Sequence, residues 1–227
     1  MIDGILLINK EKGITSYDVI RRLKKVLPRE QKIGHAGSLD PFATGLLIIL
    51  LGKSTKLMEK ILSLEKKYIT TGEFGYSTDT QDSTGQKVDV SNLKEVSKEK
   101  LEEIIKKNFV GEISQVPPQY SAKKIKGKKA YEYAREKIDV KLMPKDVTVY
   151  KFDIIDYSWP LVRFDVICSS GTYIRTLVND LGKLTGVYAT AVELERTRIG
   201  KFDLSEAIKS SDISDGLKLN LVELKDE

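Results

Sequence analysis

Residues 34 to 51 read Gly34-His35-Ala36-Gly37-Ser38-Leu39-Asp40-Pro41-Phe42-Ala43-Thr44-Gly45, then Leu46-Leu47-Ile48-Ile49-Leu50-Leu51. The second part is an unbroken apolar run and predicts a buried strand. The first part holds three glycines and a proline, residues that fix the backbone in restricted turn conformations just before that strand. Asp40 sits at the end of the turn, its own backbone limited by Pro41. An aspartate in that position is more often a turn former than a catalyst, so this stretch alone fixes a loop and a strand and leaves the carboxylate's role open.

Reading outward, Gly4 to Asn9 predicts another short buried strand. Thr15, with Asp18 three residues on, caps a helix whose apolar positions are Val19, Ile20, Leu23, Val26 and Leu27, and Pro28 stops it. Lys67 to Phe74 is rich in β-formers and predicts a strand, while Ser77 to Gly85 reads as loop. Ser97 opens a helix through Leu101, Ile104 and Ile105. Two strands, Val147 to Tyr157 and Leu161 to Cys168, are split by a turn at Ser158-Trp159-Pro160. Thr172 to Leu181 is expected to be a helix with Ile174, Leu177, Val178 and Leu181 inward and Gly182 at its C-terminal end. Strands and helices thus alternate around one sheet. The expectation is an α+β protein, one domain over residues 1–227, with an irregular insertion at about 116–143.

The 227 residues are 41% apolar and 31% charged, an ordinary globular mixture. Leu46 to Leu51 is far short of the roughly 18 apolar residues a membrane span needs. Asp3 stands where a signal peptide needs positive charge, so a cytoplasmic location is expected. Single residues of Cys (Cys168) and His (His35) exclude an internal disulfide, thiolate metal sites and zinc deaminase chemistry. The net charge is +5, and Lys123 to Lys137 carries seven cations against two acids, so the remainder of the chain is neutral overall. Such a concentration is a footprint for a polyanion, and Tyr120, Tyr131 and Tyr133 beside it suit stacking on unpaired bases.

Several site chemistries fail on spacing. Gly52-Lys53-Ser54-Thr55 follows a strand, but a phosphate loop requires a glycine where Leu47 stands. Asp79 and Asp82 lack the alternate spacing and terminal carboxylate of a calcium loop. No G-x-G-x-x-G opens a helix. Ser38, His35 and Asp40 are too close in sequence to converge as a hydrolase triad. Gly171-Thr172-Tyr173-Ile174-Arg175, however, opens a helix with Tyr173 and Arg175 off the apolar stripe, and Arg175 could pair with Asp40 and keep it ionised.

These blocks together resemble the TruB-type tRNA pseudouridine synthases. The matching residues are Lys10-x-x-Gly13-x-Thr15-Ser16, the Gly34–Gly45 stretch, Lys66-Lys67-Tyr68 and Thr78-Asp79-Thr80-x-Asp82-x-x-Gly85. They continue through Val116-Pro117-Pro118-x-Tyr120-Ser121-Ala122-x-Lys124, Gly171 to Arg175 and Leu194-Glu195-Arg196-Thr197-Arg198-Ile199-Gly200. The resemblance implies a pseudouridine-synthase fold, with a central mixed, mostly antiparallel sheet flanked by helices and an inserted RNA-binding thumb. It implies isomerisation of uridine 55 in the tRNA T loop with no cofactor and no metal, by a cytoplasmic monomer. Asp40 would be the catalytic aspartate, Tyr68 would pack on the uracil, and Arg175 would pair with Asp40. Leu194 would wall the pocket and His35 would hold the rearranged T loop. Tyr173, Lys10 and Asp79 are further expected substrate contacts, and Lys123, Lys124, Lys126, Lys128 and Lys129 belong to the thumb. Glu11 replaces the family's usual proline, and the chain ends at Glu227, where relatives commonly continue into an RNA-binding PUA module. The rival readings are an RNA-binding or RNA-folding protein without chemistry, and a nucleotide switch resting on Gly52-Lys53-Ser54.

Overall fold

The apolar run Leu46–Leu51 lies in a strand, Thr44–Leu51, that is covered on both faces. Alternate residues of a strand point to opposite sides. Leu46, Ile48 and Leu50 therefore join Ile5, Leu7, Ile61, Ile199 and Phe202 in one cluster, while Leu47, Ile49 and Leu51 join Leu6, Ile8, Val19, Ile20 and Leu23 in another. With both faces buried, the run from Leu46 to Leu51 is apolar at every position.

The computed structural model describes residues 1–121, 123–125, 127–136, 138, 140–214, 216–217 and 219–222. In chain order the elements are β1 (Gly4–Lys10), α1 (Ser16–Val26), β2 (Ile33–Ala36), β3 (Thr44–Leu51), α2 (Met58–Ser63), β4 (Lys66–Phe74), β5 (Tyr76–Thr78) and β6 (Lys87–Val90). There follow α3 (Lys98–Asn108), β7 (Gly111–Gln115), β8 (Lys124–Ile125), β9 (Lys128–Lys129), α4 (Ala130–Arg135), β10 (Lys145–Ser158) and β11 (Leu161–Cys168). The last are α5 (Ile174–Thr185), β12 (Ala189–Ile199), β13 (Phe202–Asp203), β14 (Ile208–Lys209) and β15 (Leu221–Val222). The chain divides into two compact units, Met1–Tyr68 with Leu194–Glu227, and Ile69–Glu193.

In the first unit, β1 runs antiparallel to β3 from Gly4↔Leu51 to Lys10↔Gly45, and parallel to β14. β3 also pairs antiparallel with β2 and parallel with β12 at Arg196↔Gly45. α1 starts in the capping box expected from the sequence. The Thr15 hydroxyl accepts from the Asp18 amide and the Asp18 carboxylate accepts from Thr15. It lays Val19, Ile20 and Leu23 on the sheet and stops at Val26, two residues before Pro28.

In the second unit the strand order is β4-β11-β10-β7. β10 and β11 form a long antiparallel pair joined through Trp159 and cis Pro160, and β7 adds antiparallel to β10. Phe109, Phe152 and Phe164 stack edge to face in its core, at centroid separations of 5.9 and 5.1 Å. The architecture is α+β, with mixed, mostly antiparallel strands.

Several elements differ from expectation. Gly34–Ala36, read as loop, is part of β2, and the 77–85 loop begins inside β5. The helix expected at Thr172–Leu181 is α5, Ile174–Thr185, with Gly182 inside it. A Cβ on Gly182 would lie 2.1 Å from the Ala189 nitrogen, so close backbone approach selects that glycine, while left-handed Gly186 ends the helix. The 116–143 insertion is not wholly irregular, because it contains the β8–β9 hairpin and α4. Ala122, Lys126 and Lys137 lie outside the described residues, and of Lys124 and Lys129 only the backbone is described.

Candidate active site

Asp40 sits half-buried on the loop between β2 and β3, and the backbone on both sides of it is held by Gly13 and by Ser16 at the start of α1. Ser16, buried at the helix start, uses one hydroxyl twice: it accepts from the Leu39 amide (2.8 Å) and donates to the Leu39 carbonyl (3.2 Å). The Gly13 amide donates to the Pro41 carbonyl at 2.7 Å. Within the loop the Ala43 amide closes a turn onto the Asp40 carbonyl at 3.1 Å. Residues 39 and 41 are thereby fixed from outside and residue 40 from within.

The base of the same loop is closed by Arg196 of β12, among the largest fully buried side chains in the protein. Its Nε donates to the Leu46 carbonyl (2.7 Å) and its second guanidinium nitrogen to the Gly37 carbonyl (2.8 Å). Gly45 (φ 100°) lies against the Arg196 backbone, where a Cβ would come within 2.4 Å of the Arg196 carbonyl oxygen. Both the left-handed φ and the contact require glycine there.

Lys10, at the end of β1, is fully buried, and its ammonium donates to the carbonyls of Glu11 and Ile14, each at 2.9 Å. Burial lowers its pKa to about 8, opposed chiefly by the nearby carboxylate of Asp40 and reinforced by the Arg196 cation. Attraction between Lys10 and Asp40 works on both, so the ammonium stabilises the carboxylate in return. In the same unit, Tyr68 and Leu194 are buried and His35 is half-buried on β2. The Gly52-Lys53 turn has no room for a phosphate: the Lys53 amide donates to Asp3 (2.7 Å), and a Cβ on Gly52 would sit 1.9 Å from that carboxylate.

In the second unit, Arg175 lies outside the apolar stripe of α5 and is nevertheless only 2% exposed. Its guanidinium donates to the carbonyls of Thr80 and Tyr120 and lies 3.3 Å from the Asp82 carboxylate, itself buried. The 79–82 turn can offer Arg175 both a carbonyl and a carboxylate because Gln81 between them adopts a left-handed φ of 61°. Asp82 also accepts from the Thr84 amide and from the Thr80 and Thr84 hydroxyls. In the sequence Asp82 stands as a failed calcium ligand and as a member of the Thr78–Gly85 block, with no role assigned to it. Its flanking threonines, which favour local side-chain turns, were the available signal for a held carboxylate.

Two family models match the chain: the TruB family pseudouridylate synthase N-terminal domain over residues 24–174, and the tRNA pseudouridylate synthase B C-terminal domain over residues 175–224. The chain belongs to the TruB family of pseudouridylate synthases. It is 45% identical to the tRNA pseudouridine synthase B of Fusobacterium nucleatum, over 89% of this chain and 70% of that protein. It is 42% identical to that of Endomicrobium trichonymphae, over 96% of this chain and 94% of that one. Among solved structures it resembles a Cbf5-Nop10-Gar1 complex (TM-score 0.69, 28% identity) and an H/ACA RNP bound to a substrate RNA containing 2′-deoxyuridine (TM-score 0.66, 26% identity). In each it covers 92% of its own length and about half of the matched chain (53% and 51%).

The remaining expected contacts of this TruB enzyme are placed as follows. Tyr173 caps α5, with its backbone held at both ends by the Gln115 amide (2.8 and 3.0 Å). Asp79 is exposed and accepts from the Gln86 amide at 2.8 Å, which gives it a loop-closing role. Lys123 donates to the Met143 carbonyl, while Lys128 pairs with Glu136 and lies 4.8 Å from the Tyr133 ring centre. Arg135 covers Tyr131 in the same way, at 5.2 Å. Among the described residues, no group of three or more His, Cys, Asp or Glu is arranged to hold a metal, and no helix is long and apolar enough to cross a membrane.

Proposed function

We propose that the protein converts uridine 55 in the T loop of tRNA to pseudouridine, as a cytoplasmic monomer needing no cofactor. The observation that carries this reading is Asp40: a carboxylate on a loop pinned at residues 39 and 41, with the Lys10 ammonium in its field. A uridine must first leave its stack, at a cost of a few kcal/mol. Stacking on Tyr68, worth about 1–3 kcal/mol, offsets part of that. Arg175 is assigned a catalytic role alongside Asp40, Leu194 walls the pocket against water, and His35, Tyr173 and Asp79 hold the RNA, while the buried Lys10 serves by stabilising the Asp40 carboxylate. The bond between uracil N1 and ribose C1′ then breaks, the base turns, and C5 bonds to C1′. The proton on C5 is lost and N1 ends protonated, so nothing is consumed. The lysines at 123, 124, 126, 128 and 129 close over the RNA backbone.

The test is incubation of the protein with an unmodified tRNA transcript in the presence of a chelator, with pseudouridine read by nucleoside mass spectrometry. Conversion at position 55 by the parent, and none by Asp40→Asn although it still binds the tRNA, is the expected result. An active Asp40→Asn enzyme would remove Asp40 from the chemistry.

A further inference from the structure

The charge of this chain is concentrated in a second place besides the thumb. Residues 12–32 hold seven cations (Lys12, Arg21, Arg22, Lys24, Lys25, Arg29, Lys32) against two acids, Asp18 and Glu30. Most of this charge is on α1. The buried side of that helix is spent on the core through Val19, Ile20 and Leu23. The opposite side carries Tyr17, Arg21 and Lys24 at helical spacing, one above the other. Tyr17 is 48% exposed, with the Arg21 guanidinium 5.0 Å and the Lys24 ammonium 5.9 Å from its ring centre. An exposed ring with cations over it, one of them (Arg21) also paired with Asp18, suits stacking on an unpaired base while the cations meet its phosphates. Beside it, Arg22 and Lys25 line an open recess of about 560 Å³ with the hydroxyl residues Ser211 and Ser214 and the Glu11 carboxylate, which pairs with Arg22.

We propose that the outer face of α1 is a second RNA-binding surface, in which Tyr17 stacks on an unpaired base and Arg21, Lys24 and Lys25 neutralise backbone phosphates. The proposal rests on the RNA-modifying function above, and it adds a contact that the thumb does not supply. Its position fits. α1 begins at Ser16, the residue that holds Leu39 next to Asp40. The helix is about 16 Å long, enough to follow a few nucleotides of the strand leading to the target. A lipid surface is the other partner that basic helices serve, but such helices keep an apolar face for the membrane, and here that face is buried in the core.

The experiment compares the parent, Tyr17→Ala and Arg21→Ala/Lys24→Ala/Lys25→Ala for binding of an unmodified tRNA transcript across a salt series. Melting temperature serves as the check on folding. The triple variant is expected to bind at least about tenfold more weakly at 0.1 M salt, and its log-affinity against log-salt slope is expected to fall by about 2. Tyr17→Ala is expected to weaken binding about fivefold or more without changing that slope. Folded variants that match the parent in affinity and slope overturn the proposal, as does loss of binding to anionic phospholipid vesicles in place of tRNA. Pseudouridine formation by the parent is measured alongside. Its absence would sink the proposed function, whereas unchanged binding with intact activity sinks only the α1 surface.

Discussion

Replacing Ser16 by alanine removes a single oxygen from beneath the Asp40 loop. That oxygen serves both the amide and the carbonyl of Leu39, and Ser16 is only 4% exposed. In the variant both backbone groups lose that partner in a place water reaches poorly. A buried group left unsatisfied costs about 1–3 kcal/mol, and partial relaxation of the loop puts the expected total near 2 kcal/mol. At about 2–4 °C per kcal/mol for a chain of this size, the melting temperature should fall by roughly 4–8 °C. Alanine is a good helix former, so α1 itself is not the casualty. The larger effect is on catalysis, because a displacement of about 1 Å at a reacting group can lose roughly a hundredfold in rate. The assay is single-turnover pseudouridine formation at saturating tRNA, with tRNA affinity measured separately. The rate constant should drop by one to two orders of magnitude (about 10–100-fold) and the affinity should stay within about a factor of two. Thr15→Ala is the control. It removes the helix cap next door at a cost of about 1 kcal/mol but leaves Leu39 held, so its rate constant should match the parent's. If Ser16→Ala turned over like Thr15→Ala, the clasp would be ordinary packing and the account of how Asp40 is held would be wrong.

Two further outcomes follow from buried charges. Lys10 is less basic folded, at about 8, than an ordinary lysine at 10.5, so between those values the unfolded chain holds the extra proton and stability rises with pH. The gain is up to about 3 kcal/mol, while turnover should fall above pH 8 as Asp40 loses its ammonium. Urea midpoints and rates for the parent and Lys10→Met at pH 7 and pH 9.5 should show the parent moving in opposite directions and the variant lacking both changes. Asp82→Asn takes the Asp82 charge from beside the buried Arg175 guanidinium, a loss of about 3–5 kcal/mol visible by calorimetry. Arg175→Met/Asp82→Leu should recover most of that stability and none of the activity. A double variant as unstable as Asp82→Asn would mean that the carbonyls of Thr80 and Tyr120, not Asp82, dominate the energetics of this site.

What was legible in the sequence was what short-range chemistry encodes. The Thr15–Asp18 box, the buried strand after Gly45 and the turn-forming glycines near Asp40 all follow from neighbours within a few residues, and the folded chain contains them. Gly182 defies a local reading for the same reason. A glycine near a helix end suggests a terminator, but this one is required by the backbone of Tyr188 and Ala189, which only folding brings against it. The burial of Arg175 is not legible locally, because its carboxylate and carbonyl partners lie 55 to 95 residues away. The site shows the same division. Lys10-x-x-Gly13-x-Thr15-Ser16 and Gly37 to Leu46 look like two separate motifs, with Arg196 as part of a third. In the folded protein they are parts of one arrangement: Ser16 and Gly13 hold the residues on either side of Asp40, Arg196 closes the ends of its loop, and Lys10 supplies the compensating charge. Each of these residues has one geometric task that a near substitute performs badly. Alanine cannot bridge Leu39, a side chain cannot fit at Gly45, and a lysine at 196 would lack the planar fork that reaches Leu46 and Gly37 together. The specificity of the sequence blocks is therefore a consequence of holding one carboxylate still.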